Sequence, residues 1–288
     1  MKKEEVLEKV ERELKLQGKS QHTITAYISS LDNLFEFTQK HPSRILLEDI
    51  KKFLEYLSIE KNYSASSMIL AKSAIRFYYE EMLDKYSFKK VKVKKREKRF
   101  PVVLTKEEII KILNAATAIR DRLIVEFMYT CGLRVSEAVK MKLEDLDLSD
   151  LTGTIRSGKG NKDRNIALSP RLVSTMQAYL KAKEAESPYL FSKSNGSHYS
   201  TRSFQMIIKK LAEHAGITKN VHSHSFRHAF GTHSIQDGED IVSLQEMMGH
   251  SSLDTTRLYI TLSKKHLRGK KTPLDRLEEQ EANKVNTH

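Results

Sequence analysis

The stretch HSHSFRHAFGTH, residues 222–233, sets four histidines and one arginine into what reads as a single helix. That density has three physical readings: a metal site, a solvated helix face, or a cage for a phosphate. His224 and His228 stand four residues apart, which puts two imidazoles on one helical face and is compatible with zinc, with His222 as a third nitrogen. Arg227 lies between them, however, no cysteine or carboxylate completes the set nearby, and an HExxH signature is absent. A phosphate fits the residue types better. Arg227 follows His224 by three positions and shares its face, and a planar guanidinium offers paired donors to two nonbridging oxygens.

The rest of the chain agrees with an anionic partner. It has 288 residues, enough for about two domains, and 39% hydrophobic content, enough for ordinary cores. Lys plus Arg exceed Asp plus Glu by 50 to 37, a net charge of +13 that points to an extended polyanion such as nucleic acid. The N-terminal MKKEEVLEKVEREL alternates charged and apolar residues, so neither a signal peptide nor a spanning helix is expected there. Cys131 is the one cysteine, which excludes an internal disulfide and fits a reducing cytoplasm.

Up to about residue 84 the periodicity predicts a four-helix unit. Ser20 caps a helix whose stripe is Ile24, Tyr27, Ile28, Leu31, Leu34 and Phe35, ended by His41-Pro42. Ile50, Phe53, Leu54 and Leu57 mark the next, and Met68, Ala71, Ile75, Tyr78 and Met82 the last, with Ser64 as its cap. Residues 86–100 then form a basic linker, in which positions 89–99 carry eight Lys or Arg against the single acid Glu97. The second unit, 101–288, opens with the capping box Thr105-Lys-Glu-Glu108. Residues 152–168 predict two short strands around a Gly-Lys-Gly-Asn-Lys-Asp turn, with Tyr189–Phe191 as a third strand. Helices resume at Ser169-Pro170 and at Ser200, and about 263–280 reads as a further helix before a polar end. The expected fold class is mainly α with a small β-sheet or hairpin, in two domains.

Three more places bear on chemistry. Gly153 to Lys159 imitates a phosphate-binding loop, GxxxxGK, yet Gly160 stands where the Mg²⁺-binding hydroxyl belongs, and a strand rather than a helix follows. Lys159 is therefore a hairpin lysine. Arg134, in Cys-Gly-Leu-Arg-Val-Ser-Glu, follows a glycine that closes one helix and precedes Ser136, the expected cap of the next, a junction suited to a phosphate. Finally, His250 follows a glycine, and Tyr259 lies nine residues on in a short helix begun by Ser251 or Ser252.

Taken in order, GLRVSE (132–137), SGKGNKDR (157–164), HSFRHAFGTH (224–233) and GHSSLDTTRLY (249–259) resemble the tyrosine recombinase, or phage integrase, family and its compact Xer branch. Each motif is weak alone, whereas four in sequence are specific. The resemblance implies a DNA breaking-and-rejoining enzyme in which Tyr259 is the nucleophile that forms a 3′-phosphotyrosyl intermediate. It further implies that Arg134 and Arg227 bind the scissile phosphate, Lys159 protonates the leaving 5′ oxygen, and His224 and His250 complete the pocket. Neither metal nor cofactor is implied, because the phosphodiester energy stays in the covalent bond.

By the same resemblance, residues 1–85 are a SAM-like core-binding domain that closes with the catalytic domain around duplex DNA. The segment at about 263–280 is the helix exchanged between protomers of a tetramer on paired, dif-like inverted-repeat sites. Lys162 and Arg202 are further candidates for DNA contact. Xer-type resolution of chromosome or plasmid dimers in the cytoplasm is the expected role. Integration or inversion of a mobile element, type IB topoisomerase-like nicking and resealing, and a non-catalytic architectural DNA-binding protein are the alternatives.

Overall fold

The computed structural model describes residues 3–94, 101–156, 163–250 and 252–263. The chain divides into two compact units, Met1–Arg99 and Phe100–His288.

In the first unit, α1 (Lys3–Leu16) buries Val6, Val10 and Leu14, spaced by four so that they form one stripe. The hydroxyl of Ser20 accepts from the amide of Thr23 and starts α2 (Gln21–Thr38), which buries Ile24, Leu31, Leu34 and Phe35. That helix stops at Thr38, before His41-Pro42, because Gln39 turns into the left-handed region. The Asp49 carboxylate accepts from the Leu46 amide at 2.9 Å and fixes the start of α3 (Leu47–Ile59). Ser64 caps α4 (Ala65–Arg76), which widens into a π-helical turn over Phe77–Met82. There Tyr79 is buried and donates its hydroxyl to the Pro42 carbonyl at 2.9 Å. The segment read as the start of the linker joins this core, since Phe88 and Val91 are buried in it. Residues 95–100 lie outside the described residues.

The second unit starts at α5 (Lys106–Ala115), where Thr105 and Glu108 exchange the two bonds of the expected capping box. Next, α6 (Ile119–Thr130) has six consecutive buried residues, Leu123 to Met128, and so is buried nearly all round rather than striped. The short α7 (Val135–Lys140) follows. Strands β1 (Leu146–Asp147), β2 (Thr152–Ile155) and β3 (Arg164–Ala167) form an antiparallel sheet in that order. The third strand is thus Leu146–Asp147 and not Tyr189–Phe191. Tyr189 makes an isolated bridge to Lys142, while Leu190 and Phe191 are buried in the helical core. Beyond the sheet come α8 (Pro170–Ala182) and α9 (Thr201–His214), which start where expected and are capped by Ser169 and Ser200. The chain continues through α10 (Ser223–Asp237), α11 (Ile241–Met248) and α12 (Leu253–Leu262).

The architecture is mainly α with a small sheet, as the sequence implied. Helices α10, α11 and α12 enclose a small cluster of their own, built from Ile235, Leu244, Met248 and Tyr259. No helix among the described residues is long and apolar enough to cross a membrane.

Candidate active site

Arg134 is itself the N-cap residue of α7, and Ser136, expected to be the cap, lies inside the helix. Glycine explains the difference. Gly132 ends the preceding turn at φ +57°, and the close approach of Phe230 to the place a Cβ would occupy leaves no room for a side chain. The chain then needs only Leu133 to reach the next helix. At that helix start the Glu137 carboxylate takes the Arg134 amide at 2.9 Å and the Arg134 guanidinium at 2.7 Å. The same carboxylate receives two bonds from Arg164 at the start of β3, at 3.0 and 2.6 Å, and Arg164 also donates to the Met247 carbonyl. One buried anion therefore ties α7, the hairpin and α11 together. Burial opposes the charge on Glu137, but hydrogen bonds and charge from Arg164, and then from Arg134, hold its pKa down at about 2.

Arg227, on α10, is 4% exposed. Its two terminal nitrogens donate to the Gly132 carbonyl at 2.5 Å and the Met248 carbonyl at 2.6 Å. Burial, followed by the charge of Arg134, lowers its pKa to about 10, so it remains a cation at neutral pH. Arg134 in turn reaches the carbonyl of Gly249 at 3.4 Å. Two guanidinium groups 93 positions apart in sequence thus bracket the α11–α12 connection, held by carbonyls of the turns around Gly132 and Gly249.

Tyr259 lies on α12 and is 2% exposed. Gly231 makes room for it, because a Cβ there would stand 2.9 Å from three atoms of the Tyr259 ring. On another side the His250 ring is parallel to it, within 10° and with centroids 6.2 Å apart. The Tyr259 hydroxyl meets His228 Nδ1 at 3.4 Å. Burial raises the phenol pKa, and the charges of Arg227 and Arg134 act the other way. His250 bonds through Nδ1 to the Thr256 hydroxyl at 2.9 Å, and its pKa falls to about 4 through burial and then the charges of Arg227, Arg134 and Arg164. His224, in the first turn of α10, is exposed to solvent, yet its pKa is also lowered, first by partial loss of hydration and then by the charges of His222, Arg227 and Arg134.

The geometry gathers Arg134, Arg227, His250 and Tyr259 at one place, with His224 on the rim. Lys159 and Lys162 lie outside the described residues, as does residue 264 onward, which holds most of the expected exchange helix. The strands on either side of Lys159 are anchored at the site, since Ile155 pairs with the Glu137-bound Arg164. Arg202 is exposed in the first turn of α9, an element that contributes none of these side chains. Three participants escaped sequence reasoning: Glu137, Arg164 and Gly231. Glu137 and Arg164 were in the quoted motifs, but nothing in their spacing reveals that a loop of 26 residues brings them together. Among the described residues no group of three His, Cys, Asp or Glu is placed to hold a metal ion. An open cleft of about 530 Å³ beside Arg134 is lined by Lys140, Lys142 and Arg156.

Residues 102–266 match the phage integrase family, and residues 6–87 match the phage integrase N-terminal SAM-like domain. The chain belongs to the phage integrase family of tyrosine recombinases. This is a class of DNA breaking-and-rejoining enzymes. A curated relative, tyrosine recombinase XerA of Pyrococcus horikoshii, is 37% identical over 268 residues, covering 92% of this chain and 91% of its own. A crystal structure of XerA recombinase shares 31% identity at a TM-score of 0.55, covering 93% of this chain and 96% of the other. XerH site-specific recombinase, crystallised on a palindromic difH substrate in a post-cleavage complex, shares the fold at a TM-score of 0.72 and 23% identity over 91% of this chain and 82% of the other. The XerA relatives support site-specific DNA recombination as the activity of this family member.

Proposed function

We propose that this chain is a Xer-type recombinase that resolves chromosome or plasmid dimers by cutting duplex DNA with Tyr259. The observation that carries the reading is the convergence of a buried phenol on α12 with two fixed guanidinium groups, Arg134 and Arg227, drawn from α7 and α10. In this reading the phenolate oxygen attacks phosphorus, the bond to the 5′ oxygen breaks, and the two arginines hold the charge that grows on the nonbridging oxygens. Ionising a phenol with a pKa near 10 at neutral pH costs roughly 4 kcal/mol, and cationic neighbours reduce that cost. His250 and His224 supply further donors to the same phosphate, and Lys159 gives its proton to the leaving oxygen. The freed 5′ hydroxyl of a partner strand then attacks the phosphotyrosine and restores the backbone.

Residues 1–85 serve as the core-binding domain, with residues 86–100 along the phosphates, and 101–288 as the catalytic domain. Four protomers act on two dif-like sites in the cytoplasm, joined by exchange of the helix at about 263–280. Lys162 and Arg202 touch the DNA backbone, which makes affinity fall with salt. A nicked suicide duplex carrying the host's inverted-repeat site tests the chemistry. The wild-type chain accumulates a denaturant-resistant 3′-phosphotyrosyl adduct, Tyr259→Phe binds the duplex and forms none, and Arg134→Ala forms it about 10² to 10³ times more slowly. An adduct with Tyr259→Phe would overturn the nucleophile assignment.

A further inference from the structure

A phenol that becomes a nucleophile must lose its proton to something, and the residues around Tyr259 differ in whether they can take it. Arg134 and Arg227 have no acceptor. His250 presents the face of its ring to Tyr259, and its Nδ1 is engaged with the Thr256 hydroxyl. His224 lies at the solvent-exposed rim beside Arg227, and its ring neighbours are His222 and His228, the latter 6.4 Å away between centroids, whereas the Tyr259 hydroxyl bonds to His228. His228, by contrast, points Nδ1 at the Tyr259 hydroxyl from 3.4 Å, with ring centroids 5.9 Å apart. It is three residues before Gly231, so the helical turn that admits the Tyr259 ring also presents this imidazole to its oxygen.

We infer that His228 is a catalytic residue, the group that receives the Tyr259 proton during cleavage and returns it during rejoining. The inference rests on Tyr259 being the nucleophile, as proposed above. As the Tyr259 oxygen bonds to phosphorus, the phenol proton passes to the Nδ1 lone pair, and the phosphorus–O5′ bond breaks with the 5′ oxygen protonated from the leaving-group side. In rejoining, a 5′ hydroxyl displaces the Tyr259 oxygen, which recovers its proton from the imidazolium. Burial, and then the charges of His224, His222 and Arg227, lower the His228 pKa to about 4, so the ring is neutral and its lone pair is free at the start of the cycle. The same cations disfavour the imidazolium, and the negative charge growing on the phosphoryl oxygens offsets them during the transfer. A contact of 3.4 Å in the DNA-free chain is of the length that shortens once substrate is bound.

The test uses the full chain and two suicide duplexes, one with the natural 5′ oxygen and one with sulfur at that position, whose departure needs no acid. His228→Asn keeps a hydrogen-bond acceptor near the position of Nδ1 but cannot take a proton. With duplex binding and thermal melting unchanged, it is expected to form adduct about 10²-fold more slowly on both duplexes, the usual size of a proton-transfer contribution. His228→Gln, read by the same criteria, replaces it if the Asn variant melts early. Wild-type rates on both duplexes would overturn the inference, because a hydrogen bond alone would then suffice. A deficit confined to the oxygen duplex would overturn it too, by moving His228 to the leaving group. Failure of the wild-type chain to form any adduct, or adduct from Tyr259→Phe, would instead remove the proposed function on which the inference depends.

Discussion

The two units of this chain bury different chemistry. The first has a core of aliphatic and aromatic side chains, and its polar groups below the surface are tyrosine hydroxyls such as that of Tyr79 on the Pro42 carbonyl. Its histidines, His22 and His41, are exposed. In the second, the buried residues among those described include Glu126, Arg227, His233, Thr232 and Thr256, and Glu137 lies under two arginines. Apolar burial needs only the right volume and is tolerant of substitution. A buried charge has to be paired and bonded, so each partner fixes the next. The lesson is that the first unit is held as a shape, whereas the second is held as a set of aimed groups.

Acid offers the widest test of that contrast. His228 and His250 have folded pKa values of about 4 against an ordinary 6.5, so the unfolded chain takes up protons first as pH falls. The stability they provide is complete above pH 6.5 and is lost between there and pH 4. Because both rings keep part of their solvent contact, each displacement is worth about 1–2 kcal/mol rather than the full conversion of its shift. Glu137, with its pKa depressed to about 2, contributes stability above pH 4.5 that disappears as pH falls further. Amide protection factors, referred to the intrinsic exchange rate at each pH, are expected to fall in α10–α12 from pH 6.5 to 4.5 while those of α1–α4 hold. An equal fall in both units would break the contrast.

Glu137→Ala comes next. It strands Arg164, whose side chain is 8% exposed, beside Arg134, and is expected to cost about 3–5 kcal/mol in urea denaturation. Gly231→Ala is aimed at position rather than charge. Its Cβ would press the Tyr259 ring, which has His250 on one side, and a shift approaching 1 Å is expected to slow adduct formation about 10²-fold with duplex binding intact. In the first unit Tyr79→Phe removes one buried hydroxyl, costs about 1 kcal/mol or slightly more by thermal melting, and leaves cleavage unchanged. A larger effect of Tyr79→Phe on cleavage than on melting would show that the first unit is also an aimed set.

Much of the fold was legible in single residues. Ser20, Ser64 and Thr105 cap helices where expected, and helices start at Ser169 and Ser200 as read, because an N-cap depends on a hydroxyl and the amides two or three positions later, all local. Ser136 was misread for the same reason, since the Gly132 turn is shorter than a hydroxyl search assumes and brings Arg134 to the cap position. The third strand was also misplaced. A two-residue strand such as Leu146–Asp147 has no alternation to detect, while the apolar Leu190 and Phe191 look like strand but serve the helical core. Within the site, Arg134, Arg227, His250 and Tyr259 stood out as motif residues, and the structure gathers them. His228 had been noticed only as a metal-site spacing, and its contact with Tyr259 depends on α12 folding back onto α10.

The sequence by itself determined most of the helices, hydroxyl caps such as Ser20, Ser64 and Thr105, and which side chains have the chemistry to hold and attack a phosphate, since those properties reside in neighbouring residues or in the residue type. Tertiary structure alone decided that Glu137 also anchors Arg164 across the hairpin, that Gly231 leaves a seat for a ring, and that His228 rather than its neighbours faces the phenol. Each of those contacts joins positions 27 to 31 residues apart, and a contact at that range is fixed only when packing closes the chain on itself.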